Sequence, residues 1–222
     1  MCRLLAVTAA TPFAMADHLV PFAEVARRSR EYQGHGWGCT WQEDGTWHSH
    51  HSVSPMWEDD LSRFGQARVL MAHARSAYRD EGIAVENNMP FIRQPLAFVF
   101  NGELRGVRIA ETGRIGAEKL FRFLAARGAA DGADRMRAAV RLVQQRTRYV
   151  RAMNFVIGAP GIFLLCSTFN EDEEYFTLHV RRGRAMTAVC SAPYEPGAGT
   201  GAPPEGWCPL SNGSIEVIPW FS

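Results

Sequence analysis

The chain has 222 residues, of which 46% are hydrophobic and 21% are charged, and its net charge is +1 at pH 7. This composition is typical of a large globular domain with a sizeable buried core, and we expect a single domain over residues 1–222. A net charge so close to zero argues against nucleic acid or an acidic membrane surface as a partner. Because Lys119 is the only lysine, chemistry that uses a lysine nucleophile is also disfavoured.

The five cysteines are odd in number and include no CxxC pair, which argues against a zinc ribbon or a disulfide framework. This pattern favours a reducing, cytoplasmic location. One feature opposes it, because Arg3 followed by LLAVTAATPFAMA imitates a short signal peptide. That segment has one positive charge and an interrupted apolar run, so we retain the cytoplasmic prediction. No stretch approaches the roughly 20 apolar residues of a membrane span.

The first third of the chain alternates strand and helix patterns. A short strand is predicted from Arg3 to Thr8, followed by a helix that Asp17 caps. The segment GWGCTWQEDGTWHSHH predicts a hairpin that turns at Asp44-Gly45. A short helix is predicted in MWEDDLSRFG, and two apolar strands in ARVLMAHAR and PLAFVFNG.

Helical spacing follows at residues 117–127 and 132–146. Beyond Asn154 the pattern predicts further strands, in NFVIG, IFLLCS, EYFTLHV, AMTAVCS and SIEVIP. The Pro/Gly-rich segment PYEPGAGTGAPPEG is predicted to be a surface loop. Strands at both ends with two helices between them indicate a layered α+β domain.

The second residue is a cysteine, and two interpretations are open. Free cysteine commonly behaves as a small hydrophobic residue. Alternatively, removal of Met1 would leave Cys2 with its own α-amino group beside its thiol. Because an α-amine titrates near pH 8, it can act as a built-in general base for that thiol. The position alone does not decide between these interpretations.

The segment FNGEL also has two interpretations. Asn-Gly is the strongest short turn signal, so a plain turn that ends the preceding strand is one of them. In the other, the side-chain amide of Asn101 and the backbone N–H of Gly102 stabilise an oxyanion at the strand end. Glycine permits the close backbone approach that this role requires.

Arg75 ends a further apolar strand, where it is either a surface ion-pair residue or a bidentate clamp for a carboxylate. His73 shares its strand face and is interpreted as a hydrogen-bonded core residue. The run HSHH places His48 and His50 on one face, but no third ligand is evident. We therefore expect neither a metal nor any other cofactor.

Taken in order, Cys2, HGWG, AHARSAY, ENNMPF and FNGEL resemble the class II glutamine amidotransferases, which are N-terminal-nucleophile hydrolases. The resemblance is to the compact stand-alone branch. It extends to VCSAPYE and LSNGSIEVI, and so covers nearly the whole chain. It implies a four-layer αββα sandwich with the cysteine at the start of a central strand.

The resemblance implies roles for the matching residues. Cys2 would be the nucleophile that forms a thioester, with its α-amine as the base. Asn101 and Gly102 would form the oxyanion hole, and Arg75 would bind the α-carboxylate of glutamine or of a γ-glutamyl group. The remaining matches are assigned to the substrate pocket: Gly36, Trp37, Ser76, Tyr78, Asn87, Pro90 and Phe91.

Two positions depart from the family pattern. Gly116 stands where many members carry an acidic residue that holds the substrate's α-ammonium, although Glu118 keeps the register. Because an unpaired ammonium is costly in a pocket, free glutamine is expected to bind poorly. An N-blocked or larger γ-glutamyl amide, or an acid from elsewhere in the chain, would resolve this. Phe100 also replaces a frequent histidine.

The leading hypothesis is therefore an amidohydrolase that releases ammonia or an amine from a γ-glutamyl group. Its partners would be that small-molecule amide and, where ammonia is passed on, a separate ammonia-accepting enzyme. The main alternative is a non-catalytic relative that acts as a binding or regulatory subunit, which the loss of the acidic residue favours. A metal protein built on the histidine run is a minor alternative.

Overall fold

Two antiparallel sheets form the centre of the protein in a computed structural model that describes residues 1–196 and 206–221. The strands are β1 (Arg3–Ala14), β2 (Trp37–Glu43), β3 (Thr46–Ser52), β4 (Gln66–Ala74), β5 (Phe91–Arg93), β6 (Leu96–Val107), β7 (Thr147–Ala159), β8 (Ile162–Ser167), β9 (His179–Arg182), β10 (Met186–Cys190), β11 (Trp207–Pro209) and β12 (Ser214–Pro219). The first sheet has the order β11-β9-β10-β1-β4-β2-β3, and the second has the order β12-β8-β7-β6-β5.

The helices are α1 (Ala16–Arg27), α2 (Gly116–Ala126), α3 (Ala133–Gln145) and the single turn α4 (Glu173–Phe176). Short 3₁₀ turns occur at Met56–Glu58, Leu61–Arg63, Tyr78–Asp80, Val85–Asn87 and Ala129–Asp131. Within the described ranges, no helix is long and apolar enough to cross a membrane.

The layers follow from alternation along the strands. On β1, Leu5 faces α1 and its cluster, whereas Leu4 faces the core between the two sheets. On the second sheet, Phe98 stacks on Phe121 of α2 with ring centroids 5.0 Å apart. Helix, sheet, sheet and helix therefore succeed one another, which confirms the predicted αββα sandwich.

The N-terminal strand is fixed in the centre of the first sheet. β1 pairs with β4 on one side and with β10 on the other, and Leu4 donates its N–H to Ser191 Oγ at 2.8 Å. The Arg3 guanidinium donates to the carbonyls of Tyr175 and Ser191, each at 3.2 Å, and lies over the Tyr175 ring. A residue next to this strand is consequently held in place. The segment that imitates a signal peptide is mostly this central strand.

Several predicted elements are confirmed. The hairpin of β2 and β3 turns at Asp44 and Gly45, which both have positive φ angles. The two central helices begin and end within one residue of their predicted bounds. The predicted surface loop lies largely outside the described residues.

The prediction that Asn101-Gly102 ends its strand is wrong. β6 continues to Val107, and Asn101 pairs with Asn154 of β7. The irregularity falls two residues later, between Glu103 and Leu104. Pairing with the long β7 strand overrides the local turn preference of Asn-Gly.

Other element predictions also need correction. Asp17 lies in the first turn of α1 and is not its cap, which is Met15 without a side-chain hydrogen bond. The stretch EYFTLHV is not one strand, because α4 precedes β9. The expected helix in MWEDDLSRFG is two separate 3₁₀ turns.

The start of α2 is anchored by Glu118. Its carboxylate accepts hydrogen bonds from the backbone N–H of Arg114 (2.7 Å), from Arg114 Nε (2.9 Å) and from Arg122 Nη2 (3.0 Å). The Arg114 bonds, opposed by burial and assisted by Arg122, lower the pKa of Glu118 from its ordinary 4.5 to about 2. The carboxylate thus fixes the segment around Gly116.

We expect Glu118→Gln to reduce the free energy of unfolding by about 2 kcal/mol at pH 7, because one pKa unit corresponds to about 1.4 kcal/mol and half-exposed arginines weaken the effect. The folded-state pKa is depressed, so this stabilisation is present above pH 4.5 and is lost as the pH falls toward about 2. Urea unfolding of both proteins at several pH values measures it. Glu24→Gln, which removes more exposed ion pairs on α1, is the matched control. If the difference in unfolding free energy between wild type and Glu118→Gln does not become smaller as the pH falls, this explanation is wrong.

Candidate active site

A cavity of about 890 Å³ brings together residues that are distant in the sequence. Cys2 before β1, Arg75 after β4, Gly102 on β6 and Gly116 at the start of α2 all line it. Ser76 and Tyr78 line it as well. The three motifs that carry the candidate nucleophile, clamp and oxyanion donor therefore share one site.

The Cys2 thiol lies beside Ser76 in the lining of this cavity. Its Sγ is 3.6 Å from the Ser76 carbonyl oxygen and 3.5 Å from the Ser76 backbone nitrogen. Burial raises the pKa of Cys2, while the N-terminal ammonium, the Ser76 N–H and Arg75 oppose that rise. The thiol is therefore protonated at neutral pH, and a nearby base must remove the proton for it to act as a nucleophile.

Arg75 is a buried cation without a carboxylate partner among the described residues. Its side chain is held by two neutral acceptors, Asn88 Oδ1 at 3.2 Å and the Gly82 carbonyl at 2.8 Å. The residue is only 6% exposed. Because a buried charge is stabilised by a counter-charge, the cavity favours an anionic group beside Arg75.

The HGWG segment accepts hydrogen bonds from the backbone N–H groups of Arg75 and Ala77. The Gly36 carbonyl accepts from the Arg75 N–H at 2.9 Å, and His35 Nδ1 accepts from the Ala77 N–H at 2.9 Å. Gly36 has a φ of +108°, and an added Cβ would lie 2.6 Å from the Ser52 carbonyl. Trp37 points away from the cavity into the α1 side of the sheet, where its indole donates to Asp59.

The ENNMPF segment forms hydrogen bonds to Arg75 and to the Gly82 carbonyl. Asn87 donates to the Gly82 carbonyl at 3.0 Å, next to the bond from Arg75, while Asn88 contacts Arg75 directly. The Pro90 carbonyl contacts His51 Nε2 at 3.0 Å. Phe91 pairs with β6. The residues that line the cavity do not include Asn87, Pro90, Phe91, Gly36 or Trp37, so their assignment to the pocket remains a prediction.

Asn101 is fully buried, and neither Nδ2 nor Oδ1 of its side chain has a hydrogen-bond partner within the described part of the chain. Phe98 packs toward α2, so alternation directs Asn101 toward the first sheet, which carries Cys2. An unpaired buried amide costs about 1–3 kcal/mol. A ligand oxygen that accepts from Nδ2 would satisfy the donor half of this amide, although Asn101 itself is not among the residues that line the cavity.

Gly102 cannot be replaced by a larger residue without a shift in the backbone. An added Cβ would lie 2.1 Å from the Ala152 carbonyl oxygen of the neighbouring strand. The residue lines the cavity beside Phe100, whose carbonyl is 3.2 Å from Nε2 of His73 on the opposite sheet. Burial lowers the pKa of His73 to about 3, so this core histidine is neutral.

Gly116 leaves open space where the family pattern places an acid. Apart from the neighbouring backbone of the chain and helix, no heavy atom of the described residues lies within 4 Å of the position that a Cβ would take. The nearby Glu118 carboxylate is bound to Arg114 and Arg122 and is not available to a ligand. A substrate ammonium at this wall of the cavity would meet no carboxylate from position 116.

Sequence patterns missed seven charged residues that line the cavity. They are Glu31, Arg79, Glu81, Glu103, Arg105, Lys119 and Arg151. Arg151 lies 3.4 Å from Glu31 and 3.8 Å from Glu103, and so links the N-terminal segment to β6. Glu31 lies in an irregular connection and Arg151 in the half of β7 that carries no strand signal, so no local pattern pointed to them.

The histidine run does not form a metal site. His50 Nε2 lies 3.6 Å from Asp59 and 2.8 Å from Arg63 Nη2, a cation that opposes metal binding. In the described parts of the chain, no group of three or more His, Cys, Asp or Glu side chains is arranged to hold a metal ion.

Solved structures share this architecture. A glutamine aminotransferase class-II domain protein from Silicibacter pomeroyi matches with a TM-score of 0.64 at 14% identity, with 99% of each chain covered. A protein described as a predicted glutamine amidotransferase from Pseudomonas aeruginosa matches with a TM-score of 0.60 at 14% identity, covering 99% of this chain and 98% of that one. No protein-family profile and no curated protein sequence matches the chain.

The glutamine phosphoribosylpyrophosphate amidotransferase of B. subtilis matches with a TM-score of 0.58 at 15% identity. The match covers 86% of this chain but only 42% of that enzyme. The chain thus has the fold of the class II glutamine amidotransferase domains. At this identity the likeness establishes the fold alone.

Proposed function

We propose that the protein is an amidohydrolase of the N-terminal-nucleophile type that cleaves the side-chain amide of glutamine or a γ-glutamyl amide. The observation that carries this proposal is that Cys2, Arg75 and Gly102 line the same cavity. A thiol, a carboxylate-binding cation and an oxyanion donor are the groups that such a reaction needs.

In the proposed mechanism, removal of Met1 frees the α-amine of Cys2. The amine accepts the thiol proton while Sγ bonds to the amide carbon, and the developing oxyanion is held by Asn101 Nδ2 and the Gly102 N–H. The same amine then passes the proton to the leaving nitrogen, and the C–N bond breaks to leave a thioester. Water activated by the amine hydrolyses the thioester and regenerates the thiol.

Arg75 orients the substrate through its α-carboxylate. The product ammonia or amine either leaves to solvent or passes to a separate accepting enzyme. We propose a single domain in the cytoplasm, in line with five cysteines that are all free. Neither nucleic acid nor a membrane is proposed as a partner.

The direct test is intact mass spectrometry before and after treatment with an electrophilic glutamine analogue. We expect a mass without Met1 and a single adduct that maps to Cys2. Active protein that retains Met1, or an adduct at another cysteine, would refute the mechanism. If no amide is cleaved and Cys2 does not react, the non-catalytic alternative is the better description.

Gly116→Asp is expected to raise kcat/KM for free glutamine about tenfold, which corresponds to roughly 1.4 kcal/mol of transition-state binding. The reason is that a carboxylate in the open space at position 116 would pair with the substrate ammonium. Gly116→Asn, of the same shape but neutral, is the matched control. N-acyl glutamine, which has no ammonium, should gain nothing. An ordinary kcat/KM for glutamine in the wild type would mean that another acid holds the ammonium.

A further inference from the structure

Met1 occupies a formed binding site beside Cys2. Its ammonium pairs with the Glu31 carboxylate, and its carbonyl accepts hydrogen bonds from Gln33 Nε2 and the Tyr175 hydroxyl, each at 2.5 Å. Its side chain, 13% exposed, packs against an apolar cluster. We call this site the Met1 seat, and its residues are Glu31, Gln33, Ala152, Phe169, Tyr175 and Phe176.

The seat does not depend on Met1 for its shape. Gln33 is fully buried and also donates to the Glu31 carbonyl at 2.8 Å. Tyr175 is held by Ser29 at 3.3 Å and by the Arg3 guanidinium over its ring. Glu31 keeps Arg151 as a second partner at 3.4 Å. Removal of Met1 would therefore leave an open, preformed site.

The seat also offers unused hydrogen-bonding capacity. Gln33 Oε1 is buried and has no partner among the described residues, although the rest of that side chain is fully engaged. Met1, Glu31 and Arg151 all line the same cavity as Cys2, so the vacated seat would open directly onto the thiol. A molecule bound in the vacated site would lie close to the Cys2 thiol.

We propose that the vacated Met1 seat is the subsite for the leaving group, and that it takes an α-amino acid residue with an apolar side chain. This inference rests on the proposed function and names its substrate class, γ-glutamyl amides of such amino acids. Met1 presents an α-ammonium, an apolar side chain and a carbonyl, and the amine product of that hydrolysis presents the same three groups.

The proton balance supports the same assignment. When the C–N bond breaks, the leaving nitrogen receives the original thiol proton through the Cys2 amine, and at neutral pH the free product amine takes up a further proton from water. The resulting ammonium would pair with Glu31 in the way that the Met1 ammonium does. Gln33 and Tyr175 would donate to the product carbonyl, while the apolar cluster would pack against its side chain.

The test uses the Met1-free protein, verified by intact mass, and L-methioninamide as the probe in isothermal titration calorimetry. N-acetyl-L-methioninamide, which lacks the ammonium, is the control ligand. We expect L-methioninamide to bind about tenfold more tightly than the acetylated ligand. Glu31→Gln should abolish that preference, whereas Glu81→Gln, which removes another carboxylate from the cavity wall, should preserve it.

A second variant keeps the inference testable if Glu31→Gln does not fold. Tyr175→Phe removes only a hydroxyl and should weaken binding of both ligands several-fold. Equal affinity for the two ligands in the wild type, no saturable binding at millimolar concentrations, or equal losses in Glu31→Gln and Glu81→Gln would each overturn the inference. So would active protein that retains Met1.

Two experimental outcomes distinguish a wrong leaving-group subsite from a wrong catalytic function. If the wild type cleaves γ-glutamyl amides but does not bind L-methioninamide, the seat is not a leaving-group subsite. If L-methioninamide binds with the expected dependence on Glu31 but no amide is cleaved and Cys2 does not react, the amino acid site stands and the hydrolase does not.

Discussion

Cys2→Ala should abolish amide hydrolysis and leave the fold intact. Cys2 provides the thiol of the cavity, and no other side chain is proposed to bond to the amide carbon. The strand that follows it is held by two neighbours, so loss of one sulfur atom leaves that pairing unchanged. Ammonia release from glutamine and amine release from a γ-glutamyl amide measure the effect, with circular dichroism as the check on folding.

The other cysteines provide the controls for this expectation. Cys208 is exposed, so Cys208→Ser should retain full activity. Cys166 and Cys190 are buried, and burial raises the pKa of each thiol to about 12, which leaves them inert at neutral pH. Wild-type turnover in Cys2→Ala would mean that the nucleophile is misassigned.

Asn101→Ala should lower kcat by about 10²–10³, or about 2.7–4 kcal/mol, the usual loss for one oxyanion donor. The side chain is buried and has no hydrogen-bond partner in residues 1–196 and 206–221, so its removal breaks none of the hydrogen bonds within those ranges. We therefore expect the thermal midpoint to stay near that of the wild type while turnover collapses. Steady-state kinetics and a thermal melt together distinguish these two effects.

Asn154→Ala is the matched control for this variant, because Asn154 faces Asn101 across the β6–β7 pair. Its amide donates to the Phe176 carbonyl at 2.6 Å and accepts from the Thr168 N–H at 2.9 Å. This change should lower stability more than Asn101→Ala does. A change in KM alone for Asn101→Ala contradicts its role in the transition state.

Much of the layered fold was predictable because the pattern of apolar residues is strong where strands and helices are amphipathic. The β2–β3 hairpin and the two central helices have clear local signals. The continuation of β6 beyond Gly102 had no local signal, because it depends on pairing with residues of β7 that lie 40 or more positions later in the sequence. Long-range pairing of this kind overrides turn propensity.

The site was predictable only as a set of separate motifs. Cys2, Arg75 and Gly102 carry recognisable chemistry, and the sequence order of their motifs allowed them to be combined. Trp37 belongs to a motif as well, but strand alternation turns its indole to the other face of the sheet. Glu31 and Arg151 have no motif, and only the folded chain brings them to the N-terminus.

The placement of β1 between β4 and β10 has a consequence for synthesis of the protein. Leu5 is paired with Cys190, so the strand that positions the thiol is incomplete until late in translation. Such non-local pairing is slow, since a long loop must close before the contacts form. A nascent chain would carry its cysteine from the first moments of elongation and yet have no assembled catalytic centre. We therefore expect ribosome-bound chains that lack β10 to be inert toward glutamine analogues.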